Sequence, residues 1–144
     1  MRRRGELFEE RLTESIIGAF YEVYNVLGFG LLEHFYVSAL ERELVRRNHQ
    51  VAREVSVEVW YKGELLGRQR LDMVVDGKVV VETKSTLELH ASAARQCFSY
   101  LRASGIAVGL VLHFGPEPNV KRLVSWKDGA RQHTSIRDGR ETAL

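Results

Sequence analysis

The chain has 144 residues, 44% of them apolar and 28% charged, with a formal net charge of +2. That length and balance suit a single domain, here 1–144, whose core needs neither disulfides nor a structural metal. The lone cysteine, Cys97, excludes an internal disulfide, and no apolar run approaches the ~20 residues of a membrane span. No membrane partner is therefore expected, and the composition reads as cytoplasmic. The weak positive charge permits nucleic-acid binding without demanding it.

In chain order, residues 13–27 read as a helix, with Ile16, Phe20, Val23 and Leu27 at helical spacing, Thr13 able to cap the start and Gly28 placed to end it. A second helix is expected from about Leu31 to Arg47, on the stripe Tyr36, Leu40 and Leu44. Val51 to Tyr61 alternates as a strand. Lys62-Gly63-Glu64 is a turn, Leu65 to Val75 a second strand, and Asp76-Gly77 a hairpin signal. Lys78 to Lys84 forms a third strand whose Val79-Val80-Val81 run suits a two-sided central position. A helix over 89–104 buries Ala94, Cys97, Phe98 and Leu101. Ala107 to Phe114 is a buried strand, and Lys121 to Trp126 a further candidate. From about Lys127 the chain is a polar tail. The expected class is α/β, a central mixed sheet flanked by helices in the order ααβββαβ(β).

Two acids sit inside apolar strands: Asp72 on the second, and Glu82 on the third, two residues before Lys84. A carboxylate in such a setting costs free energy unless something compensates. Two of them ~4 Å apart repel by about 4 kcal/mol at an effective dielectric of 20. A divalent cation removes that repulsion, and an all-oxygen ligand set suits Mg²⁺ or Mn²⁺. Glu82 and Lys84 share a face, so the lysine can reach a water on such an ion or a phosphate oxygen. Glu-x-Lys on a strand also describes an ordinary solvated ion pair, so the reading depends on where Asp72 falls.

Hairpin length decides that. A two-residue Asp76-Gly77 turn would set Asp72 opposite Val81, on the wrong face. A three-residue loop, Val75-Asp76-Gly77, would pair Asp72 with Val80, diagonal to Glu82. An odd-length loop or a bulge near Gly77 is therefore expected, with Asp72, Glu82 and Lys84 on one face. On an undisturbed strand Arg68 and Arg70 share Asp72's face and are candidate nucleic-acid contacts, with Arg95 a weaker one.

Asp72 followed by Glu82-Thr83-Lys84, within α-β-β-β-α-β, resembles the PD-(D/E)XK phosphodiesterase superfamily. Gly30-Leu31-Leu32-Glu33-His34-Phe35-Tyr36 resembles the signature of the GxxExxY family, and the resemblance covers about residues 8 to 125. Leu71 stands where the superfamily name has proline. The resemblance implies the restriction-endonuclease-like fold and a metal-dependent nuclease acting on DNA. Asp72, Glu82, the carbonyl of Thr83 and Glu33 would hold the metal, and Lys84 would serve the attacking water. Gln96 and Tyr100, spaced like the Gln-x-x-x-Tyr motif of RecB-like nucleases, would complete the wall of the site. The rival it leaves open is a catalytically inactive member serving as a nucleic-acid-binding or protein-interaction module. On either reading, a homodimer or a partner protein could help grip the nucleic acid.

Overall fold

The computed structural model describes residues 9–125 and, as backbone, 136–137. The helices are α1 (Glu10–Leu27), α2 (Glu33–Arg46) and α3 (Ala91–Ser104). The strands are β1 (Val51–Tyr61), β2 (Glu64–Val75), β3 (Val79–Lys84), β4 (Val108–Phe114), β5 (Pro118–Val124) and β6 (Ile136–Arg137). Apart from that two-residue strand, the tail expected beyond Lys127 lies outside the described residues, as does Trp126.

Two element starts differ from expectation by three residues, the others by two or fewer. The first helix begins at Glu10, so Thr13 lies inside it and donates its hydroxyl to the Glu10 carbonyl at 2.9 Å instead of capping. The last long strand starts at Pro118, earlier than Lys121. Proline is tolerated there because it is the first residue of an edge strand.

The strands form one mixed sheet in the order β5-β4-β3-β2-β1-β6. β3 and β4 run parallel, joined by the α3 crossover, and the other neighbours are antiparallel. α1 and α2 cover one face, where Ile16, Phe20, Tyr36 and Leu40 meet Met73, Val81 and Leu110. α3 covers the other, where Cys97 and Leu101 meet Val55, Val74 and Val80. Val79, Val80 and Val81 are all fully buried, because the sheet is packed on both faces at β3. Each large apolar side chain so buried contributes roughly 1.5–3 kcal/mol. No described helix is long and apolar enough to cross a membrane.

The α3 layer lies so close to β4 that only glycine fits at position 109. A Cβ there would stand 2.6 Å from Cys97 Sγ and 3.3 Å from a Leu101 methyl. Gly109→Ala is expected to cost about 1–3 kcal/mol through overpacking. Adding Cys97→Ala should restore part of the lost melting temperature. A melting temperature unchanged by Gly109→Ala would contradict the contact.

Candidate active site

The β2–β3 loop fixes the site's register. Asp76 and Gly77 both take positive φ, at 53° and 67°, and the Lys78 N–H donates to the Val75 carbonyl at 3.0 Å. The ladder then resumes at Val75↔Val79, so Lys78 is an extra, unpaired residue. The loop is odd in length, Asp76-Gly77-Lys78, one residue later than the sequence suggested. Glycine takes positive φ without strain. Asp76 is held in it by its carboxylate, which accepts from the Gln50 N–H at 2.7 Å and contacts His49 Nδ1 at 2.8 Å.

From Val75↔Val79 the pairing runs to Met73↔Val81 and stops. One further step would set Asp72 directly across from Glu82, rather than diagonal to it. β2 creases there. Leu71 and Val74, an odd number of residues apart, both pack on the α3 face. Opposite, Glu54 of β1 has φ 52°, and the Glu54–Asp72 rung is missing between Arg53↔Met73 and Val55↔Leu71. At this crease Asp72 stays in the strand without a ladder rung to either neighbour. Its Oδ2 accepts from the Thr83 N–H at 2.7 Å and from the Thr83 hydroxyl at 2.6 Å. Thr83 is fully buried, so both donors are fixed.

Glu82 is only 8% exposed. Burial, and then the charge of Asp72 beside it, push its carboxyl up to about 8. Lys84 pulls the other way, with Nζ 3.9 Å from Glu82 Oε1. Glu33 completes the group from the start of α2. Its carboxyl is raised by burial and by Asp72, and lowered by Lys84 and by the N–H of Ser85. The turn that places Glu33 is held by Tyr36, one turn down α2 and fully buried. The Tyr36 hydroxyl donates to the Gly28 carbonyl at 2.5 Å and accepts from the Leu31 N–H at 3.1 Å. The Ser85 hydroxyl donates to the Leu31 carbonyl at 2.9 Å, latching the end of β3 to the start of α2. Nothing in local spacing announces Ser85 or the Thr83 hydroxyl. Their roles exist only once β3 lies beside β2 and α2.

Tyr100 is fully buried on α3, and its hydroxyl has no partner among the described residues. Burial and then Glu82 raise it above the usual tyrosine value. Gln96, one turn earlier, is exposed and lines a cleft with Glu82 and Lys84. The neighbouring Cys97 is a core residue, its thiol pushed up to about 12 by burial and then by Glu82. The arginines fare differently. Arg68 pairs with the buried Glu58 at 3.0 Å, and Arg70 with Glu54 at 3.4 Å. The strand between Arg70 and Val74 is not undisturbed, so the single face expected for Arg68, Arg70 and Asp72 does not follow from alternation. Arg95 makes no ion pair among the described residues and faces the cleft that holds Lys84.

A profile of the PD-(D/E)XK nuclease superfamily matches residues 10–123. The chain belongs to the PD-(D/E)XK nuclease superfamily. A crystal structure of SSO0001 is similar at 18% identity and a TM-score of 0.52, covering 85% of this chain and 61% of that one. The chain thus spans 61% of that protein's length, and at this identity the likeness concerns the fold alone. No curated protein matches the chain.

Members of this superfamily typically depend on metal ions. Among the described residues no three acidic, histidine or cysteine side chains form a ready metal cage. What converges is the pair Asp72 and Glu82, and Mg²⁺ is ordinarily held by one or two carboxylates, completed by water and substrate oxygens. Thr83 holds Asp72 through Oδ2, which fixes the carboxylate beside Glu82. The donor set is all oxygen and its carboxylates outnumber the one lysine beside them, so the residues fit a small hard divalent cation.

Proposed function

We propose that this superfamily member is a Mg²⁺- or Mn²⁺-dependent nuclease of the GxxExxY type that hydrolyses phosphodiester bonds in DNA. The observation that carries the reading is the meeting of Asp72 and Glu82 at the crease of β2, with Lys84 one step along the same face as Glu82. Two mutually repelling, half-buried or buried carboxylates are a liability to a fold and an asset to a cation site.

Asp72 and Glu82 would hold the ion, with the Thr83 carbonyl and Glu33 as further oxygens. A bound divalent ion supplies Lewis-acid polarisation of the phosphoryl group and a more acidic water. The Thr83 N–H and hydroxyl keep Asp72 aimed. Lys84 presents its ammonium to the charge that develops on the phosphate and orients the attacking water. The Gln96 amide and the uncommitted Tyr100 hydroxyl give the wall two hydrogen-bonding groups. The Gly-x-x-Glu-x-x-Tyr signature gains a physical sense here: Tyr36 braces the turn from which Glu33 projects.

Labelled DNA should be cleaved with Mg²⁺ or Mn²⁺ and left intact in excess EDTA. Undiminished cleavage in EDTA would sink the metal requirement, and no cleavage with either ion would favour the non-catalytic module.

A further inference from the structure

Two clefts open on either side of the carboxylate pair, and their charges differ in sign. One, of about 370 Å³, lies toward α2 and is lined by four carboxylates, Glu33, Glu54, Asp72 and Glu82, against two arginines, Arg53 and Arg70. Both arginines are already engaged, Arg53 with Glu41 at 2.8 Å and Arg70 with Glu54 at 3.4 Å. The other, of about 560 Å³, lies toward α3 and is lined by Arg95, Lys84 and the Glu54-paired Arg70, with Glu82, which contacts Lys84, as its one carboxylate. The clefts share Glu82 and Arg70, so they meet at the proposed reaction centre.

The floor of the α3-side cleft is built. Gln69 of β2 donates to the Gln96 carbonyl at 2.8 Å and accepts from the Ser99 hydroxyl at 2.9 Å, so β2 and α3 are tied beneath it. That tie uses the polar ends of Gln69 and Ser99. It leaves the Arg95 guanidinium, the Ser92 hydroxyl and the Gln96 amide facing the cleft with no partner among the described residues. Arg95 sits one turn along α3 from Ser92, so the two groups stand on neighbouring positions of one helix face.

We propose that Arg95 and Ser92 form a second phosphate subsite, which holds the phosphodiester next to the scissile one and leads a nucleic-acid strand out along α3. This rests on the nuclease reading and sharpens it. A polyanion with one phosphate at Asp72 and Glu82 must continue in one of two directions. The α2-side cleft would set its next phosphate among four carboxylates beside arginines that are already paired, whereas the α3-side cleft offers Arg95, without an ion pair among the described residues, and neutral donors. Arg68, paired with the buried Glu58, is not part of this track.

The test is a binding titration, so it does not depend on catalysis. A fluorescein-labelled single-stranded DNA 12-mer is titrated with the full chain in EDTA by anisotropy, at several salt concentrations. Arg95→Ala should weaken binding about tenfold and flatten the log-affinity against log-salt slope by roughly 0.7, the value for one phosphate contact on a single strand. Arg95→Lys should keep the slope. Lys62→Ala, an equal charge loss at the distant β1–β2 turn, should change neither. An unchanged slope for Arg95→Ala, an equal loss for Lys62→Ala, or no binding by the wild-type chain at low salt would each overturn the subsite. Binding with the expected slopes but no cleavage with any divalent ion would instead overturn the nuclease reading and leave the subsite standing.

Discussion

Lys84→Ala is expected to lower metal-dependent cleavage by about a thousandfold, the scale for losing a group that stabilises developing charge or moves a proton. The fold should survive the change. Lys84 is the last residue of β3, its side chain is 28% exposed, and its recorded ion pair with Glu82 is long at 3.9 Å. Truncation opens a polar cleft rather than an apolar cavity, so the cavity penalty of core substitutions does not apply. The expected pattern is kcat collapsed, the melting temperature within a few degrees of wild type, and the far-ultraviolet spectrum unchanged. If Lys84 were only the counter-ion of Glu82, the pattern would invert: a visible loss of stability and cleavage reduced no more than the folded fraction. Lys84→Arg separates charge from geometry. A guanidinium keeps the charge but is bulkier and planar, so activity should not return if the ammonium must sit against the attacking water.

Much of the fold was legible because the strands and helices carry their own periodicity. Val79-Val80-Val81 reads as a two-sided strand without knowledge of its neighbours, and it lies fully buried between two helical layers. The α3 crossover and the parallel β3–β4 pair follow from the strand–helix–strand order. The hairpin parity was legible too: an odd loop or a bulge was needed for Asp72 and Glu82 to meet, and the loop has three residues. Which three was not. Asp76 takes positive φ because Gln50 and His49, 26 and 27 residues away in sequence, hold its carboxylate. No local rule supplies that.

The crease at Asp72 was illegible for the same reason. Alternation is a one-strand argument, and it assumes that a strand keeps its phase. β1 and β2 lose phase together at Glu54 and Asp72, where Glu54 turns left-handed and the rung between them is missing. Hence Arg68 and Arg70, which alternation groups with Asp72, end paired to the glutamates of β1, while Arg95 on α3 stays uncommitted. Sequence spacing gave all three as cations. Only the ion pairs separate the occupied from the available.

The metal-free protein should lose stability as pH rises from about 5 to 8.5. Glu82 is raised to about 8 from an ordinary 4.5, chiefly by burial and then by Asp72. For an acid raised in the folded state the native chain binds the proton more tightly than the unfolded chain. The associated stability is fully present below pH 4.5 and is lost as pH climbs through 8. At about 1.4 kcal/mol per unit, the loss is on the order of 4 kcal/mol, reached near the upper end of that window. Glu33, also raised, acts in the same direction. Asp76 does not confuse the measurement. Burial pushes it up, but the Gln50 N–H, His49 and Lys78 draw it below its ordinary value. Its contribution is therefore lost only as pH falls below about 4, outside the window. Thermal melts in EDTA across pH 5 to 8.5 should show the decline, and Glu82→Gln, which carries no charge at any of these values, should flatten most of it. Mg²⁺ or Mn²⁺ at pH 8 should raise the wild-type melting temperature, because a cation that binds only the folded chain stabilises it by mass action. It should raise that of Glu82→Gln far less. A wild-type melting temperature that is flat across the window in EDTA would mean that Glu82 ionises without cost. The strained carboxylate pair, and with it the reason for a cation to bind there, would then be absent.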